Sequence, residues 1–185
     1  MITPAWQVTA EILNSLNAVN NLFLQLRQQE SQRLISLEKN YESRFNSAIK
    51  NFDLEVEKLS NNVTGKSTDS NLFATKLSQL STNHRKDTAK SEKSIRKLDY
   101  YLQKLQEIMH LIISQQASDK RQAQKDLKSI ISQFHTDFPN SKPSRLSFFS
   151  RPTLPQIILS QLKAMEKQID KLNESVVLPS APAPK

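Results

Sequence analysis

Cysteine is absent from the 185-residue chain, glycine occurs once, and no long apolar run is present. Each absence removes a class of chemistry. Without cysteine there are no disulfides, thiolate metal sites or cysteine nucleophiles, which fits a reducing compartment. One glycine cannot build a GxxxxGK[ST] phosphate loop or a GxGxxG dinucleotide turn. Hairpins and catalytic loops also draw on glycine for positive φ. Helices instead exclude it, at about 1 kcal/mol relative to alanine. Hydrophobic residues make up 37% of the chain, below the roughly 45–50% of ordinary globular domains. No apolar run approaches the roughly 18 residues that span a bilayer. The first residues, "MITPAWQVTAEILNSLN", lack a basic n-region and carry Glu11, so no signal peptide is expected. The expectation is a cytoplasmic or intracellular chain.

What is present is helical periodicity. Thr3 and Pro4 suit a helix start, a hydroxyl cap followed by an imino acid where an amide would lack a partner. An apolar stripe then runs through Ile12, Leu16, Val19, Phe23, Leu26, Leu34, Leu37, Tyr41, Phe45, Ala48, Phe52, Val56, Leu59 and Val63, interrupted only at Glu30. Its mean step of about 3.6 is the helical period. One helix over roughly residues 3–62 is predicted, long enough to suggest a coiled-coil arm. Gly65 and the cap-forming cluster Ser67, Thr68, Asp69 and Ser70 predict a turn near 64–69.

A second helix is predicted over about 70–136. Its stripe passes Phe73, Leu77 and Leu80, then Ile95, Leu98, Leu102, Leu105, Met109 and Ile112, then Leu127, Ile130 and Phe134. Two polar gaps interrupt it, 81–94 and 114–126. For a hairpin symmetric about residue 66, the first gap faces Tyr41, Phe45 and Ala48. Either the first helix bends away there, or its apolar surface is covered by a third segment or a second chain. Residues 137–153, with Pro139, Pro143 and Pro152, read as a linker. Thr153 and Gln156 form a capping box for a helix over 154–178. Its stripe Ile158, Leu162, Met165, Ile169, Leu172 and Val176 alternates steps of four and three, a coiled-coil seam. Residues 179–185 read as a disordered proline–alanine tail.

The net charge of +8 is concentrated in the second helix and beyond. Residues 1–63 hold six basic and seven acidic side chains, whereas 82–128 hold eleven and six. Arg85, Lys86, Lys90 and Lys93, with Lys142, Arg145 and Arg151 of the linker, are candidate contacts to anionic lipid or an acidic partner. Phe148 and Phe149 join them, either as membrane-inserting rings or, the favoured reading, as packing against the chain's own helices. His84, His110 and His135 are too widely separated for a metal site. No catalytic residue, cofactor site or metal site is nominated, and sequence-specific nucleic-acid recognition lacks any motif.

The expected fold is all-α: a long antiparallel, coiled-coil-like helical hairpin over 1–136 and a third, shorter C-terminal helix packing on its open end or on another chain. The expected function is non-enzymatic, an adaptor, scaffold or assembly subunit that pairs with a partner chain or with itself. Tyr41, Phe45, Ile49 and Phe52 are the candidate interface on the hairpin. Ile158, Leu162, Met165 and Ile169 would join them if the last helix docks in trans. The alternative is a peripheral protein on anionic membranes, through the basic second helix and residues 142–151.

Overall fold

The computed structural model describes residues 4–61, 70–141 and 150–175. It is all-α: α1 spans Ala5–Asn61, α2 Ser70–Ile113, α3 Ala117–Asp137 and α4 Leu154–Ser175, with a 3-10 turn at Pro139–Ser141. α1 and α2 form an antiparallel hairpin. The predicted turn near 64–69 lies outside the described residues.

Two corrections follow. The second predicted helix is two helices, broken at 114–116 with neither glycine nor proline. Gln115 adopts positive φ, 59°, a conformation that costs a residue with a Cβ about 1 kcal/mol or more. The Ser114 hydroxyl lies 2.5 Å from the Asp119 carboxylate and 3.0 Å from the Leu111 carbonyl, clamping the turn. The second polar gap is therefore a corner and the start of a new helix. The hairpin register is also shifted. Phe52 pairs with Phe73, Tyr41 with His84 and Arg27 with Asp99, which centres the hairpin near residues 62–63 rather than 66. The polar stretch 81–94 consequently reaches back along α1 to Glu30, where Ser91 donates to the Glu30 carbonyl.

The chain divides into two compact units. The first contains α1 up to Arg27, α2 from Arg96, α3 and α4. It is a four-helix unit rather than the expected three-helix end. Ile12, Leu16, Val19, Phe23 and Leu26 of α1 are buried, as are Leu98, Tyr101, Leu105, Ile108 and Ile112 of α2. Both sets step by three and four, one face of a helix. α3 adds Ala123, Leu127, Ile130 and Phe134, and α4 adds Ile158, Leu162, Met165, Ile169 and Leu172. The α2 seam thus uses Tyr101 and Ile108 where the sequence stripe placed Leu102 and Met109, which are only partly buried. Of the adjacent tyrosines, Tyr101 is buried and Tyr100 exposed.

Aromatic packing locks this core. Phe23 meets Phe134 edge-on at 5.5 Å and Tyr101 at 5.7 Å. The Tyr101 hydroxyl donates to Asp137 at 2.5 Å, and Lys97 bonds the same carboxylate. Burial, and then the Asp137 carboxylate, push the Tyr101 phenol well above its usual range. The hydrogen bond to Asp99, and then its charge, raise the Arg27 guanidinium. α4 begins with the predicted capping box: the Thr153 amide donates to Gln156 Oε1 at 2.9 Å, and the Gln156 amide to Thr153 Oγ1 at 3.4 Å.

The second unit is the helix pair 28–61 with 70–95. Its seam is thin. Leu34, Leu37, Tyr41, Phe45, Ala48 and Phe52 of α1 are half-buried, as are Phe73, Leu77 and Leu80 of α2. Among the described residues of this unit, no hydrophobic side chain is buried.

Candidate functional site

Two helices bury one stripe each, and their flanks stay open unless something lies across them. On the helix pair this leaves two cavities between α1 and α2. One, of about 280 Å³, is lined on α1 by Ala48, Asn51, Phe52 and Glu55 and on α2 by Leu72, Phe73 and Lys76. The other, of about 200 Å³, is lined by Leu37, Asn40, Tyr41 and Arg44 and by Leu80, Asn83, His84 and Asp87.

Helical geometry places both cavities on one side of the pair. The outer α1 residues Asn40, Arg44, Asn51 and Glu55 are spaced four, seven and four apart, a spacing that returns to the same helix face. On α2, Leu72, Lys76, Asn83 and Asp87 repeat the same four-seven-four spacing. The cavities are thus two parts of one groove. Fifteen residues of either wall, at 1.5 Å per residue, make it roughly 22 Å long, about four helical turns.

The groove floor is apolar and aromatic. Phe52 and Phe73 stack with ring centroids 4.1 Å apart, and Tyr41 stacks on His84 at the same separation. Glu38 Oε1 lies 3.2 Å from His84 Nε2. The rim is mixed: three asparagines, Arg44 and Lys76, and the carboxylates Glu55 and Asp87. Asp87 is held by Lys90 at 3.9 Å.

Of the interface residues nominated from sequence, Tyr41 and Phe52 line the groove. Phe45 packs on Tyr41 at 5.8 Å, and Ile49 is 36% exposed; neither lines a cavity of the groove. Ile158, Leu162, Met165 and Ile169 are a correction. They are at most 1% exposed, members of the chain's own hydrophobic core on a helix that packs against α3, so their stripe is already covered within the chain. Arg85, Lys86, Lys90, Lys93 and Arg151 are exposed. Lys142, Arg145, Phe148 and Phe149 lie outside the described residues. The sequence reading missed Arg44, Lys76, Leu72 and the asparagine rim, although the repeated four-seven-four spacing was there to find.

Among the described residues no group of three or more His, Asp or Glu side chains is placed to hold a metal ion. Nor is any described helix long and apolar enough to cross a membrane. No protein-family model, curated protein or solved structure matches this chain.

Proposed function

We propose that this chain is a non-enzymatic helical interaction protein, an adaptor or assembly subunit. Its four-helix unit holds α1 and α2 together, and its helix pair receives a helix of a partner chain. One observation carries this reading. The helix pair presents an apolar stripe on each helix and yet, among its described residues, buries no hydrophobic side chain, whereas the four-helix unit buries a full core. A third helix laid in the groove would cover Leu37, Tyr41, Phe52, Phe73 and Leu80, supplying the apolar burial that the pair lacks. Helix-in-groove docking with anchors every three or four residues is a common mode of recognition, and pairing of the coiled-coil kind is its extended form.

A photo-reactive residue at Asn51, on the groove rim, tests this in cells of the source organism. The reading expects one discrete cross-linked adduct, either with another protein or with a second copy. That adduct should vanish in Phe52→Glu. The same probe at Gln122, on the exposed side of α3, should give none. Absence of an adduct at Asn51, or equal adducts at both positions, sinks the reading.

A further inference from the structure

On its groove side the helix pair carries more cations than carboxylates. On α1, Arg33, Arg44 and Lys58 are spaced eleven and fourteen apart, three and four turns, so they share the face of which Arg44 lines the groove. Glu38, Glu42 and Asp53 are spaced four and eleven apart and fall on the opposite face of the same helix. On α2, Lys76 lines the groove. Lys90 follows it by fourteen residues, on the same face, and Lys86 flanks them. Arg44, Lys58, Lys76 and Lys86 are exposed, and among the described residues none of the four has a carboxylate within ion-pair reach. Against them the groove side carries Glu30, Glu55 and Asp87; Glu30 lies 4.0 Å from Arg33 and Asp87 is engaged by Lys90.

From this we infer that the partner helix is acidic and amphipathic. Its apolar face lies on the floor formed by Tyr41, Phe52, Phe73 and Leu80, and its Glu or Asp side chains meet the cations of both walls. The inference rests on the proposed helix-in-groove reading and adds the partner's chemistry. An apolar floor between two cationic walls fits a helix with an apolar stripe and acidic flanks. A nucleic-acid backbone or a layer of lipid headgroups would satisfy the walls and leave the floor uncovered. Unpaired cations at the lips would steer an acidic helix toward the groove and disfavour a basic one.

Two labelled 21-residue helical peptides test this with the full-length chain, followed by fluorescence anisotropy at low salt. Both carry leucines at alternating steps of three and four. One bears glutamates and the other lysines at the flanking positions. The expected result is at least tenfold tighter binding of the glutamate peptide, weakening as salt rises, and a reversed preference in the Arg44→Glu/Lys76→Glu variant. Unchanged helical circular dichroism would show that this surface variant still folds. Equal binding of both peptides overturns the acidic partner and leaves the groove reading standing. Binding of neither peptide also overturns it, and the Asn51 adduct then decides the groove reading separately. Tighter binding to a 20-base-pair duplex or to phosphatidylserine vesicles, lost in the same variant, overturns it in favour of a phosphate-bearing partner.

Discussion

His84 lies flat on Tyr41, with ring centroids 4.1 Å apart and planes 13° from parallel. The imidazole stands four residues after Leu80, where the α2 stripe calls for an apolar side chain. It fills the seam as an aromatic ring while its Nε2 reaches the Glu38 carboxylate at 3.2 Å. One residue of the polar stretch 81–94 therefore serves in packing.

Replacing His84 by alanine is expected to cost about 1 kcal/mol, the size of an aromatic pair. Glu38→Gln is expected to cost under about 0.5 kcal/mol, because the Glu38 side chain is 60% exposed and exposed polar contacts of this kind contribute little. Amide hydrogen exchange across 37–45 and 80–88 in both variants measures this. A larger effect from Glu38→Gln would mean that the Glu38 contact, not the stack, holds the seam.

The two aromatic clusters differ in depth, and so should their mutational costs. Phe134 is fully buried and meets Phe23 and Tyr101, so Phe134→Ala should destabilise the four-helix unit by about 3–5 kcal/mol. Phe52 is half-buried in a seam open on one side, and Phe52→Ala should cost well under half of that. Urea unfolding followed by near-ultraviolet circular dichroism distinguishes the two. Comparable losses would contradict the division into a full core and a thin one.

The Tyr101 phenol should remain neutral far into the alkaline range. Its folded-state pKa is raised above the unfolded value by burial and by Asp137. The stability it contributes is therefore fully present below the unfolded tyrosine pKa of about 10 and is lost as pH rises through the higher folded value. Between pH 10 and 11, absorbance at 295 nm should match in the wild type and Tyr101→Phe while both stay folded. The missing phenolate should appear only on unfolding. A difference of one phenolate in the folded protein at pH 10.5 would contradict the buried hydrogen bond.

Gln115 carries a backbone conformation suited to glycine. Gln115→Gly should stabilise the chain by about 0.5–1 kcal/mol, part of the relief being offset by the freer unfolded backbone. Gln115→Val should destabilise it. Thermal unfolding of both variants gives the sign directly.

This same corner shows where the sequence was opaque. Helix ends are legible when glycine, proline or a capping side chain marks them. The Thr153–Gln156 box was readable; α1 begins at Ala5, close to the predicted start, while its predicted cap, Thr3, lies outside the described residues. "SQQ" at 114–116 carries no such mark. Its N-cap, Gln116, makes no side-chain cap bond, so the break was indistinguishable from a polar gap in one helix. The stripes named the buried residues of α1 from Ile12 to Leu26 and those of α4 from Ile158 to Leu172 except Leu159, whereas Val56, farther along the α1 stripe, is exposed. The α2 stripe missed two: α3 packs beside it and draws Tyr101 and Ile108 inward, a tertiary choice that periodicity alone leaves open. The register moved for a related reason. It follows contacts such as Phe52–Phe73 and Arg27–Asp99, whereas Gly65 only suggested where the chain turns. At the candidate site, the aromatic floor at Tyr41 and Phe52 was visible in the stripe. The cationic walls were not, because residues spaced eleven and fourteen apart line up only once the helix faces are assigned.

The most direct measurement is residue-resolved hydrogen exchange on the isolated full-length chain. The account predicts that amides at 34–55 and 73–91 open with far lower free energy than those at 12–26 and 98–112, because only the second set is closed over by a full apolar core. Equal protection in the two sets would mean that the helix pair is complete without a partner, and the claim that its groove awaits a helix would fall.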